Sequence, residues 1–114
     1  MQRSPSVYLA HILESISHVQ DFLHEMRVEQ FLTNRMVESA VIRELEIVGE
    51  AAGKLEDGFR ESHPNIPWRM IVAMRNRLTH EYWDTDLVKI YNICTGELMQ
   101  LKSDIEEIMG GLGK

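Results

Sequence analysis

Cysteine is nearly absent from this chain of 114 residues: Cys94 is the only one. No internal disulfide can form, and neither a thiolate zinc site nor a paired-cysteine redox motif can be assembled from one copy. The lone thiol is expected to be a small core residue. Proline is scarce too, with three in the chain, and the 44% hydrophobic and 26% charged residues describe no collagenous, low-complexity or disordered segment. Long apolar runs are also missing. The opening MQRSPSVYLAHILES is interrupted by His11 and Glu14 before a signal-peptide core can form, and no stretch reaches the length of a membrane span. A cytoplasmic protein without a membrane partner is expected. The length suits one domain, residues 1–114, small enough that a partner subunit would add much to its buried surface.

Cationic charge is the remaining shortage. Twelve Lys and Arg stand against 18 Asp and Glu, a net charge of −6, which argues against a nucleic-acid partner because phosphate affinity comes mainly from basic side chains. The shortage is uneven. Ile66 to His80 holds Arg69, Arg75 and Arg77 and no acid, a local +3, which leaves 9 cations and 18 acids, or −9, for the rest. An anionic ligand is expected at this segment.

The apolar pattern is helical throughout. Leu9, Ile12, Ile16, Val19, Leu23 and Met26 recur at steps of three and four, placing them on one face of a helix opened by Ser4 and Pro5. A polar break at residues 27–34 follows. Val37, Val41, Leu45, Val48, Ala52 and Leu55 then mark a second helix. ESHPNIP ends it, since the residue before each proline is pushed out of the helical region, and Pro67 can open a third helix over about 67–79 with Ile71, Met74 and Leu78 inward. Asp84, Thr85 and Asp86 offer caps for one last helix, whose face reads Leu87, Ile90, Cys94, Leu98, Leu101, Ile105 and Ile108. An all-α, up-and-down bundle of about four to five helices is predicted, with sequential helices antiparallel. Gly49 and Gly53, one turn apart inside the second helix, each cost about 1 kcal/mol relative to alanine. Close packing within the subunit, close approach of a second subunit, and a helix stop at Gly53 all explain them.

Several chemical patterns fail. His80-Glu81 lacks the second histidine of a metalloprotease, and GGLGK lacks the Ser/Thr and following helix of a phosphate loop. His11, His18, His24 and His63 have no clustered carboxylates, so no metal is proposed. The segment from Arg75 to Tyr82 is harder to set aside. Arginines in a final helical turn suit the helix dipole, and His80 and Tyr82 can simply pack the turn. The other reading is a reactive site. On an ideal helix His80 points about 140° away from Arg75, so the helix is expected to end or bend before His80, with extended chain then putting His80 and Tyr82 on one side.

Arg75, four residues, His80, one residue, Tyr82 resembles the R-X4-H-X-Y motif of the HEPN superfamily. VIRELEIVGEAA (residues 41–52) and HPNIPWRMIVAMRNRLTHEYWDTD (residues 63–86) are similar, in order and spacing, to signature blocks of the HepT-like toxins paired with a minimal nucleotidyltransferase antitoxin. The resemblance implies a dimeric HEPN-like bundle acting as a metal-independent ribonuclease without a cofactor. Arg75 and His80 would be catalytic, Asn76 supporting, and Arg69 and Arg77 part of the RNA-binding surface. Tyr82 would be the hydroxyl to which the cognate antitoxin transfers AMP. The chemistry is compatible. RNA carries its own nucleophile in the 2′-hydroxyl, so a proton-transfer group and a cation for the phosphorane suffice. A HEPN-like bundle that binds RNA or nucleotide without cutting it, and a helical module whose arginines dock an acidic partner, are the competing readings.

Overall fold

The computed structural model describes residues 4–80 and 85–112. Among the described residues there are seven helices and no strand: α1 (Pro5–Phe22), α2 (Val28–Phe31), α3 (Arg35–Gly53), α4 (Asp57–Glu61), α5 (Trp68–His80), α6 (Leu87–Thr95) and α7 (Glu97–Leu112). The all-α expectation holds. Two one-turn helices, α2 and α4, occupy connections in which the sequence shows no period, because a single turn is too short to display one.

Pro5 takes the first position of α1, and the stripe Leu9, Ile12, Ile16 and Val19 is buried. Leu23 and Met26, which continue the sequence pattern, lie beyond the helix end and are only partly buried. Glu25 adopts a left-handed φ of 57°, turning the chain toward α2. α3 starts where the Asn34 side chain accepts a 3.1 Å hydrogen bond from the Val37 amide, and it buries Val41, Leu45, Val48 and Ala52. It is the central helix. One side packs on α1 and another on α5, while α1 also packs on α7. Full burial of each large aliphatic side chain here contributes about 1.5–3 kcal/mol, so the α1–α3–α7 core supplies most of the stability.

The single last helix expected over Leu87–Ile108 is instead α6 and α7, divided at Gly96. Asp86 caps α6 by accepting from the Lys89 amide at 3.2 Å. Thr95 then bonds back to the carbonyls of Tyr91 and Asn92 at 3.1 and 3.4 Å, which competes with the regular helical bonds. Gly96 leaves the helical conformation with φ −122° and ψ −88°. The apolar stripe nevertheless runs on through Ile90, Cys94, Leu98, Leu101 and Ile105, all buried. Burial pushes the Cys94 thiol up to about 12.

Polar links join the elements around this core. Tyr91 donates a 2.6 Å hydrogen bond to the Met26 carbonyl and packs its ring, tilted, against Phe31 with centroids 5.7 Å apart, fixing the α1–α2 connection to α6. His18 Nδ1 stands 3.2 Å from Glu44, between α1 and α3. The Trp68 indole donates to the His63 carbonyl at 3.1 Å. Among the described residues no helix is long and apolar enough to cross a membrane.

Candidate active site

The acid-free helix α5 meets α3 along a seam that one glycine makes possible. A Cβ placed on Gly49 would collide with the Cβ of Arg75, and would also lie 2.9 Å from its Cγ and 3.2 Å from the Ile71 carbonyl oxygen. Gly49 therefore serves close packing within the subunit. Gly53 is under no such pressure, since a Cβ there would meet Val72 Cγ2 at an ordinary 3.8 Å, and it is the last residue of α3. One turn before Gly49, the Glu46 carboxylate accepts a 2.8 Å hydrogen bond from the Thr79 hydroxyl. Numbers rise along α3 (46, 49, 53) as they fall along α5 (79, 75, 72). The two helices are antiparallel, as expected.

This seam fixes which way α5 turns. Arg75 and Thr79 lie against α3, Leu78 is buried in the core, and Arg69, Met70, Ala73, Asn76, Arg77 and His80 are exposed. Arg69, Asn76 and His80, spaced by seven and four, fall on one solvent-facing stripe. Arg75 roots on Gly49 and is half-buried, but its guanidinium Nη1 donates to Asn76 Oδ1 at 3.0 Å. The cation is thereby drawn onto the stripe that carries His80.

The helix does not end before His80, contrary to the sequence expectation: α5 runs through it. Leu78 and Thr79 explain the extra residue, because one is held in the core and the other on Glu46, so the last turn has anchors on two sides. Arg75 and His80 consequently leave the helix axis about 140° apart. The bond to Asn76 turns the Arg75 guanidinium toward the side of α5 that carries His80. Tyr82 lies outside the described residues, as do Glu81 and Asp84.

Glu46 was not among the residues singled out from the sequence. A glutamate on a charged helix looks like any solvated acid, and its partner is 33 residues away. Its spacing of three from Gly49 was the one available hint. Among the described residues no group of three or more His, Cys, Asp and Glu side chains stands together as metal ligands do.

Comparison with known proteins agrees with the family resemblance. The family model described as Ribonuclease HepT-like matches residues 12–108. A Methanocaldococcus jannaschii protein, provisionally named an RNase, is 36% identical over 105 residues, covering 92% of this chain and 96% of its own. The probable ribonuclease HepT of Thermococcus cleftensis is 36% identical over 108 residues, covering 95% and 98%. A provisionally named RNase of Caldanaerobacter subterraneus subsp. tengcongensis is 33% identical over 107 residues, covering 94% and 96%. No solved structure matches. A family match over residues 12–108 of an all-α chain, with relatives 36% identical over nearly its whole length, places the chain in the Ribonuclease HepT-like family.

Proposed function

We propose that the protein is a metal-independent ribonuclease toxin, cleaving RNA at a cleft between two copies of the chain and held inactive by AMP transfer to Tyr82 from a nucleotidyltransferase antitoxin. The observation that carries the reading is the acid-free exposed face of α5, where Asn76 holds the Arg75 guanidinium one turn from His80. In the reaction, the 2′-oxygen of a nucleotide attacks the adjacent phosphorus, and the bond to the 5′-oxygen breaks. The 2′ proton passes to a base and the leaving 5′-oxygen receives a proton, giving a 2′,3′-cyclic phosphate and a 5′-hydroxyl. The His80 imidazole can give and take protons, while the planar guanidinium of Arg75 suits the phosphorane oxygens. Arg69, Asn76 and Arg77 extend the surface offered to the RNA backbone.

One imidazole cannot be base and acid at once. Two copies related by a two-fold axis bring two, and the exposed Met70 and Ala73 of α5 give such a pairing an apolar centre flanked by arginines. A nucleotide attached at Tyr82, two residues from His80, puts a phosphate where the substrate's would bind and pairs it with Arg75. It acts as a tethered competitor.

The test is RNA cleavage by purified protein in EDTA, with product ends identified. Cyclic phosphate ends are expected, along with a loss of about 10²- to 10⁴-fold in His80→Ala. Binding of RNA without cleavage by the wild type would favour the non-catalytic adaptor. Intact-mass measurement with ATP and a cognate nucleotidyltransferase checks the regulation: AMP additions that persist in Tyr82→Phe would refute the choice of Tyr82.

A further inference from the structure

Among the described residues, the bond from Thr79 Oγ1 to Glu46 Oε2, at 2.8 Å, is the only hydrogen bond between α3 and α5. It stands at the last described turn of α5. Thr79 is four residues after Arg75 and immediately precedes His80. Two side chains therefore hold this turn: Leu78, buried in the core, and Thr79, on the carboxylate. Their directions differ by about 100°, so together they oppose rotation about the helix axis, and His80 follows a further ~100° on, into solvent. Losing the Thr79 anchor would leave Leu78 as a single pivot. His80, next to the lost anchor, would then shift relative to Arg75, whose Cβ is clamped one turn earlier on Gly49.

The geometry points to Glu46 as a positioning residue, which acts through Thr79 to fix the imidazole of His80 relative to the guanidinium of Arg75. Its carboxylate serves as a hydrogen-bond acceptor and takes no part in proton transfer. The inference rests on the reading of Arg75 and His80 as the reacting pair. An acceptor role has a distinctive signature: an amide oxygen accepts from Thr79 as well as a carboxylate oxygen does, so Glu46→Gln keeps the tether while Glu46→Ala removes it. Thr79→Ser and Thr79→Val make the same distinction from the donor's side. A misplacement of about 1 Å in a reacting group is enough to lower a rate by ~10²-fold.

The experiment measures kcat and KM for RNA cleavage in EDTA across the four single variants and the Glu46→Ala/Thr79→Val double variant, with His80→Ala alongside. Amide exchange of residues 78–80 is read by NMR on the same proteins. Glu46→Ala and Thr79→Val are expected to lower kcat by about 10- to 100-fold with little change in KM, to be no worse in combination than singly, and to speed exchange in the last turn. Glu46→Gln and Thr79→Ser should stay near wild type, with an unaltered pH–rate profile. Wild-type kcat in Glu46→Ala, additive losses in the double variant, or Glu46→Gln as damaged as Glu46→Ala would each overturn the inference. Should the wild type cut no RNA, the proposed function falls on its own account, and exchange still decides the tether: faster last-turn exchange in Glu46→Ala but not in Glu46→Gln upholds it, and unchanged exchange in both removes it.

Discussion

Replacing Gly49 by alanine sets two effects of opposite sign against each other. Alanine is the better helix former by about 1 kcal/mol in a helix interior. The added methyl, however, would overlap the Cβ of Arg75 and approach Arg75 Cγ to 2.9 Å and the Ile71 carbonyl to 3.2 Å. A Cβ and a backbone oxygen cannot swing aside by changing rotamer. The Cγ contact can be relieved by a change of χ1, but the Cβ overlap and the Ile71 oxygen require α3 and α5 to part. Overpacking of this kind costs about 1–3 kcal/mol, and the rigidity of the neighbours places it in the upper half of that range. The net expectation for Gly49→Ala is a loss of about 1–2 kcal/mol, or roughly 4–8 °C in melting temperature for a chain of this size. Gly53→Ala is the control, because its nearest neighbour would be Val72 Cγ2 at 3.8 Å; it should be neutral or slightly stabilising. Thermal and urea unfolding of the two variants, together with the rate of RNA cleavage, give the comparison. If Gly49→Ala were as stable as Gly53→Ala, the close approach at Arg75 would not be what the glycine is for.

Other expectations follow from the same interactions. Cys94, pushed up to about 12 by burial, should resist alkylation in the native protein at pH 8, where its thiolate fraction is only ~10⁻⁴, and react promptly once urea exposes it. The same shift makes stability fall with alkali: between the ordinary 9.0 and about 12 the unfolded chain releases the thiol proton and the folded one keeps it, a loss of ~1.4 kcal/mol per pH unit measurable by urea unfolding. Tyr91→Phe, which deletes the 2.6 Å bond to the Met26 carbonyl while keeping the ring on Phe31, should lower the unfolding free energy by about 1 kcal/mol.

Hydrophobic spacing reports which side of a helix is buried, and in this chain it did so for most of each stripe, with Leu23, Met26, Ile71 and Met74 only partly buried. Leu9, Ile12, Val41, Leu45, Ile90, Leu98 and Ile105 are all in the core. It does not report whether the backbone between two such residues is continuous. The stripe across Cys94 and Leu98 passes the break at Gly96 unchanged in period, so one helix was expected where two exist. The single turns α2 and α4 escape for the opposite reason, having too few residues to repeat anything. At the candidate site, the cationic segment could be read along α5 itself. Glu46 and the clamp of Arg75 on Gly49 could not, because both depend on how α3 crosses α5. The turn of the Arg75 side chain onto Asn76 is a choice of rotamer, which no spacing rule encodes.

The packing order of the helices also bears on how the molecule is made. The α3–α5 seam involves residues 35–80 and closes over the modest connection at residues 54–67, whereas the α1–α7 contact joins helices from opposite ends of the sequence. Contacts between neighbouring parts of a chain form first and fastest. During synthesis, Arg75, Asn76 and His80 can accordingly take up their arrangement on α3 while α7 is still to be added, and the core closed by α7 is completed behind them. The newborn chain would present its basic face before it had reached its final stability.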